Sequence, residues 1–160
     1  MRLEACPSGM QWPDPWRSAL GFLYADAQIA LAIAIRKREL FLKRTNEPPI
    51  GLDMRMLKTP VSGEFIDLRG LPQAANASER HKAAAALPEG ATGVVFRAPE
   101  RPFSDCVAIT DKNALGKLTQ TAHYRFQWEG ERIASIYVFR EDKPEIDPDD
   151  LFGQKEVLAA

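Results

Sequence analysis

A mixed α+β domain is the fold class the sequence predicts, on three observations. A short apolar run from Gly21 to Ala25 leads straight into a long helix-patterned stretch that Pro48 and Pro49 close. Downstream, short alternating or apolar segments recur between glycines, prolines and asparagines, as strands and their turns do. An alanine-rich run at Ala83 to Leu87 supplies a second helix. Two principal helices and about six to eight short strands are expected.

Taken in order, residues Met1 to Arg17 hold Pro7, Gly9, Pro13 and Pro15 with Trp12 and Trp16 between them. Irregular chain pinned by aromatics is expected there, with no element of its own. Tryptophans so placed more often cover a core edge than stack on a ligand ring. Gly21-Phe22-Leu23-Tyr24-Ala25 reads as a buried strand, and Asp26 as the N-cap of the main helix, its carboxylate suited to the free N–H groups and positive dipole end. From Ala27 to Ile35 almost no polar face remains, so this half of the helix is expected to be buried on most sides. Arg36-Lys37-Arg38-Glu39 then brings one end to water.

Ile50 to Lys58 alternates Leu52, Met54 and Met56 with Asp53 and Arg55, a strand with one face inward. Val61-Ser62-Gly63 reads as a turn and Glu64 to Leu68 as that strand's hairpin partner. Arg69 to Gln73 is loop, and Asn76 or Ser78 caps the second helix, which stops at Pro88 and Gly90. Gly93 to Phe96 is a buried strand. Pro99 and Pro102 argue against regular pairing in Arg97 to Phe103, and Cys106 to Ile109 returns as a strand. Leu118 to Trp128 and Arg132 to Phe139 form a long hairpin across Glu129-Gly130-Glu131. Beyond Arg140 the acidic, proline-broken run reads as a solvated or mobile tail. The organisation is thus an irregular segment over 1–20, a domain over 21–140 and a tail over 141–160.

Composition narrows the function classes. At 160 residues the chain is long enough for one domain with a real core. A net charge of −1 and a pI near 6.1 make no electrostatic case for nucleic acid or an anionic membrane. The apolar stretch from Ala27 to Ile35 is less than half the roughly 20 residues a bilayer span needs. The first ten residues lack the apolar core of a secretory signal. Cys6 and Cys106 are too few for a disulfide framework and are not spaced for a metal, so a cytoplasmic protein with reduced thiols is expected. His81 and His123 have no partner at ligand spacing and read as structural histidines. No phosphate-binding or nucleophile-elbow motif is present, and Asp147-Pro148-Asp149-Asp150 lacks the glycine and terminal glutamate of a calcium loop.

An ordered set of fragments does resemble a known family. Leu23-Tyr24-Ala25, Arg38-Glu39 with Phe41-Leu42, Asn46-Glu47-Pro48-Pro49, Leu52-Asp53-Met54-Arg55 and Asp67-Leu68-Arg69-Gly70 are similar to the RES domain family. So are Gly93-Val94-Val95-Phe96, Asp105-Cys106-Val107-Ala108, Tyr124 and Trp128-Glu129-Gly130-Glu131-Arg132-Ile133, in matching order from Gly21 to Tyr137. The resemblance implies an ADP-ribosyltransferase-like fold of two packed, mostly antiparallel sheets with a cleft for NAD+. It also implies a toxin of a bacterial toxin–antitoxin pair, with an antitoxin or other protein as partner. Self-association stays open.

The family is named for an arginine, a glutamate and a serine, and this chain departs from it at all three. In register, Asp14 stands in the arginine's place with Arg17 three residues on, Ile33 in the glutamate's and Ala98 in the serine's. The arginine's role would be to hold the cofactor's phosphates, and the glutamate's to stabilise charge developing on the ribose as nicotinamide leaves. Tyr24, at the cleft in the family, is retained. Glu39, six residues past Ile33, lies roughly 240° round the helix and faces elsewhere. Replacement groups would have to come from Arg17, Glu100 and Ser104, with Arg97 or Arg101 on a phosphate.

Two readings follow. One is a RES-like domain with impaired or absent catalysis, its nucleotide pocket lined by Tyr24, Arg97, Ile33 and Ala98. The other is an active NAD+ glycohydrolase or ADP-ribosyltransferase with relocated catalytic groups at Arg17, Glu100 and Ser104. An isoleucine where a charged ribose should sit favours the first.

Overall fold

The computed structural model describes residues 2–4, 21–70, 88, 90–140 and 145–158. In chain order the elements are β1 (Arg2–Glu4), β2 (Gly21–Tyr24), α1 (Ala27–Thr45), β3 (Ile50–Lys58), β4 (Phe65–Asp67) and β5 (Gly93–Ala98). There follow β6 (Arg101–Ile109), β7 (Thr119–Trp128), β8 (Ile133–Val138) and β9 (Glu145–Ile146), with single 3-10 turns at Lys112–Ala114 and Pro148–Leu151. The strands fall into two halves, β4-β5-β6-β2 and β3-β7-β8-β9, which β1 joins into one hydrogen-bonded order. The architecture is mixed α+β, with one main helix among the described residues.

α1 begins as its sequence demands. Asp26 is extended and its side chain accepts from the Ile29 N–H at 2.9 Å. Seven of its first nine residues, from Gln28 to Ile35 with Ile33 excepted, are buried. Its end is closed by Asn46 in the left-handed conformation, whose N–H reaches back to the last-turn carbonyls before the two prolines. These helix residues form one core cluster with Val94, Ala98, Cys106 and Ala108 of one half and Met56, Phe126, Trp128 and Ile136 of the other. The helix and both halves therefore share a single interior.

β3 turns Met56 inward and Asp53 and Arg55 outward, and pairs with β7 as its alternation requires. The β7–β8 hairpin turns at Glu129 to Arg132, where Gly130 takes a positive φ of 97°. At Gly93 the strands approach so closely that a Cβ would lie 2.1 Å from the Ala108 carbonyl oxygen.

Several expectations are corrected. β4 is not the hairpin partner of β3: it pairs in parallel with β5. Arg97 to Phe103 is not unpaired loop but the turn of a β5–β6 hairpin, since Pro99 falls in the turn and Pro102 in a bulge. A strand, Arg2–Glu4, stands in the segment expected to be irregular, paired with both β2 and β3. The tail is not solvated throughout, because Ile146, Pro148 and Leu151 are buried and the segment packs on α1. The second helix, with His81, lies outside the described residues, as do Trp12 and Trp16.

Candidate functional site

The bulge in β6 creates the site. Arg97 opposes Asp105 and Ala98 opposes Arg101, so Pro102, Phe103 and Ser104 are left without partners on β5. The extra residues throw the Phe103 ring outward, 66% exposed, and turn Arg101 and Ser104 inward. Arg101 is only 3% exposed, and its Nε donates to the Ser104 hydroxyl at 3.3 Å.

The C-terminal segment crosses this bulge. Asp147 caps the Pro148–Leu151 turn by accepting from the Asp149 N–H, and the Gly153 N–H donates to the Glu100 carbonyl at 2.9 Å. The chain then runs along two buried polar side chains. Arg101 Nη1 donates to the Lys155 carbonyl at 2.9 Å and to that of Leu151 at 3.4 Å, and its Nη2 to the Glu156 carboxylate at 2.5 Å. Gln28 donates to the Lys155 carbonyl and accepts from the Val157 N–H at 2.9 Å.

Between bulge and tail lies an open cleft of about 440 Å³, lined by Asp26, Arg101, Phe103, Ser104, Asp105 and Glu156 among others. Its charges are matched. Asp26 is committed to the start of α1. Asp105 accepts from Arg69 at 3.0 Å and lies 3.6 Å from Arg97. Arg69 is shared with Asp67, and that hydrogen-bonded guanidinium holds the Asp67 carboxyl down at about 2. Cys106, next along β6, is fully buried. Burial and then the Glu100 charge push its thiol up to about 12, which makes it a poor nucleophile.

Of the residues singled out from the sequence, Ser104 and Arg101 line this cleft, while Glu100, Arg97, Tyr24, Ile33 and Ala98 are not among its lining residues. Glu100 sits half-buried in the β5–β6 turn. Arg97 is engaged with Asp105. Tyr24 is buried in the core, its hydroxyl accepting from Lys37 Nζ at 3.2 Å. Ile33 is half-buried against the core cluster and Ala98 is a member of it. Glu39 faces away as expected, accepting from the Ile133 N–H at 2.8 Å. Asp14 and Arg17 lie outside the described residues. The sequence reasoning missed Gln28 and Glu156, and placed Arg101 beside Glu100 as a group that could grip a phosphate. One signal for Gln28 was present: it is the lone polar residue between Ala27 and Ile35.

A second hollow, about 330 Å³, lies between α1 and the tail, and its charged groups are also engaged. Arg132 pairs with Asp149 at 3.2 Å, and the Arg36 guanidinium stands 5.5 Å over the Phe152 ring. Among the described residues no cluster of His, Cys, Asp or Glu is placed to hold a metal. No described helix is long and apolar enough to cross a membrane.

No family profile and no solved structure matches the chain. It is 46% identical over 153 residues to y4oC, an uncharacterized protein of Sinorhizobium fredii; the match takes in 96% of this chain and 66% of that protein, so the chain spans just under two thirds of its relative's length.

Proposed function

We propose that the chain is a RES-like domain with an ADP-ribosyltransferase-type fold, related to NAD+-degrading toxins of bacterial toxin–antitoxin pairs, that has lost NAD+ turnover and keeps a binding role. One observation carries the loss: Ile33 and Ala98, at the places of the family's glutamate and serine, pack with the apolar core. Departure of nicotinamide leaves positive charge on the ribose, and neither an isobutyl-sized hydrocarbon nor a methyl group can stabilise it. The fold reading is supported by a short strand entering one long helix and by two sheet halves around a shared interior. The binding role is for NAD+ or a related nucleotide, in the cytoplasm, with an antitoxin-type protein as the partner.

Chromatographic measurement of NAD+ with the purified chain at high concentration, beside calorimetric titration of NAD+, tests this. Binding without loss of NAD+ over a protein-free control is expected. Turnover abolished by Glu100→Gln or Ser104→Ala would overturn it in favour of relocated catalytic groups, the reading that the place of Ser104 beside Arg101 would then support.

A further inference from the structure

We infer that Arg101 and Ser104 form an oxyanion site for the phosphate group of a small sugar phosphate or nucleotide, and that the Glu156 carboxylate is its resident competitor. The site stands on its own geometry and does not require that the chain handle NAD+.

The guanidinium is unequally used. Nη1 is spent on the Leu151 and Lys155 carbonyls, which anchor the side chain. Nε and Nη2 present the edge that grips a carboxylate or phosphate with two parallel hydrogen bonds. Here that edge meets only one anionic oxygen: Nη2 has Glu156, while Nε has the neutral Ser104 hydroxyl. A phosphate seated at the same edge would place one oxygen on each nitrogen and free the Ser104 hydroxyl to donate to a third.

Exposure decides which partner yields. The Arg101 side chain is 3% exposed and that of Glu156 74%. A guanidinium so buried is strongly destabilising without an anion, whereas a carboxylate this exposed is readily hydrated. Arg101 therefore needs an anion at this position, and Glu156 does not need Arg101. The remaining lining points to the rest of the ligand. Asp26 keeps its second carboxylate oxygen for a hydroxyl donor, and it repels a second anion, while the oxygens of Asp105 are taken up by Arg69 and Arg97. One phosphate with sugar hydroxyls beside it fits this pattern.

The experiment titrates inorganic phosphate, ribose 5-phosphate and ribose into the full chain and into its Glu156→Gln and Arg101→Lys variants by calorimetry, with thermal melts alongside. Glu156→Gln is expected to bind phosphate at least tenfold more tightly than the parent and, when melted without phosphate, to have a lower Tm that phosphate restores. Ribose 5-phosphate should bind more tightly than phosphate, ribose should not bind, and Arg101→Lys should lose the response. Phosphate affinity unchanged within twofold in Glu156→Gln would overturn the proposal and leave Glu156 a structural pin; so would binding that survives in Arg101→Lys. Should Arg101→Lys fail to fold, the parent against Glu156→Gln still decides. Phosphate binding together with no response to NAD+ would sustain this site while removing the nucleotide part of the function proposed above.

Discussion

Gln28, the second residue of α1, accepts a 2.9 Å hydrogen bond from the N–H of Val157, 129 positions further along the chain. Its amide also donates to the Lys155 carbonyl, so one buried side chain satisfies both a donor and an acceptor of the tail backbone. Gln28→Ala leaves the Val157 N–H unpaired and takes one of two donors from the Lys155 carbonyl, beside a new void, and should cost about 2–4 kcal/mol in urea unfolding. Hydrogen exchange at Val157 should accelerate more than at Ile136, which would separate release of the tail from general loosening.

Trp128 is fully buried and its indole N–H donates to the Glu47 carbonyl at 3.0 Å, tying β7 to the chain just after α1. Trp128→Ala should destabilise by about 3–5 kcal/mol, mostly through the cavity. Trp128→Phe keeps much of the volume but leaves that carbonyl without its donor, and should cost about 1–3 kcal/mol. Denaturant midpoints of the two variants compare packing with hydrogen bonding at one position.

Gly93→Ala tests the close approach of β5 and β6. The added methyl would meet the Ala108 carbonyl oxygen, a backbone atom that cannot swing aside. A loss of about 1–3 kcal/mol is expected from overpacking. The glycines at 90 and 130 serve as controls for bulk alone, since a Cβ at either meets nothing within 4 Å, although their positive φ adds a backbone cost.

Asp67 titrates low because the Arg69 side chain and backbone N–H both donate to its carboxylate. A folded value of about 2 lies below the ordinary carboxylate value of about 3.9, so the interaction contributes fully above pH ~4 and is lost as pH falls toward 2. Both side chains are solvent-exposed, so the contribution is small and salt-screened. Carboxyl NMR should place the Asp67 midpoint near 2 and show it moving up toward ordinary values in Arg69→Ala.

Cys106 offers the opposite sign. Its thiol is raised to about 12, against about 8.5 in an unfolded chain, so the unfolded form ionises first and stability should decline as pH rises from about 8.5 toward 12. In a Cys6→Ser background, a thiol reagent at pH 8 should leave Cys106 unmodified in the native protein and modify it rapidly in denaturant. Cys106→Ala should flatten the alkaline limb of the stability curve.

Local chemistry explains which features the sequence disclosed. Asp26 before an apolar run, the alternation of Leu52, Met54 and Met56, and Gly130 between two β-patterned arms each act within a few residues, and α1, β3 and the β7–β8 hairpin form accordingly. The partner of β4 could not be read that way. Phe65 to Asp67 is a short run that suits several neighbours, and its pairing with β5 joins strands far apart in sequence. Pro102 looked like a break because a bulge that accommodates it depends on Asp105 pairing with Arg97. The tail's charged composition pointed to water, while its attachment rests on Leu151 and on Gln28 and Arg101, side chains of types rarely buried without partners. The site was hidden for the same reason, since Arg101 draws its importance from residues about fifty positions away.

That separation matters while the protein is being made. Arg101 and the Lys155 carbonyl it binds are 54 positions apart. At a translation rate of ~5–20 residues per second, roughly 3–10 seconds pass between the synthesis of one and of the other. Throughout that interval no strap exists to close the seam along the Arg101 guanidinium and the Gln28 carboxamide. A ribosome paused within that window would display this seam to chaperones and to neighbouring nascent chains.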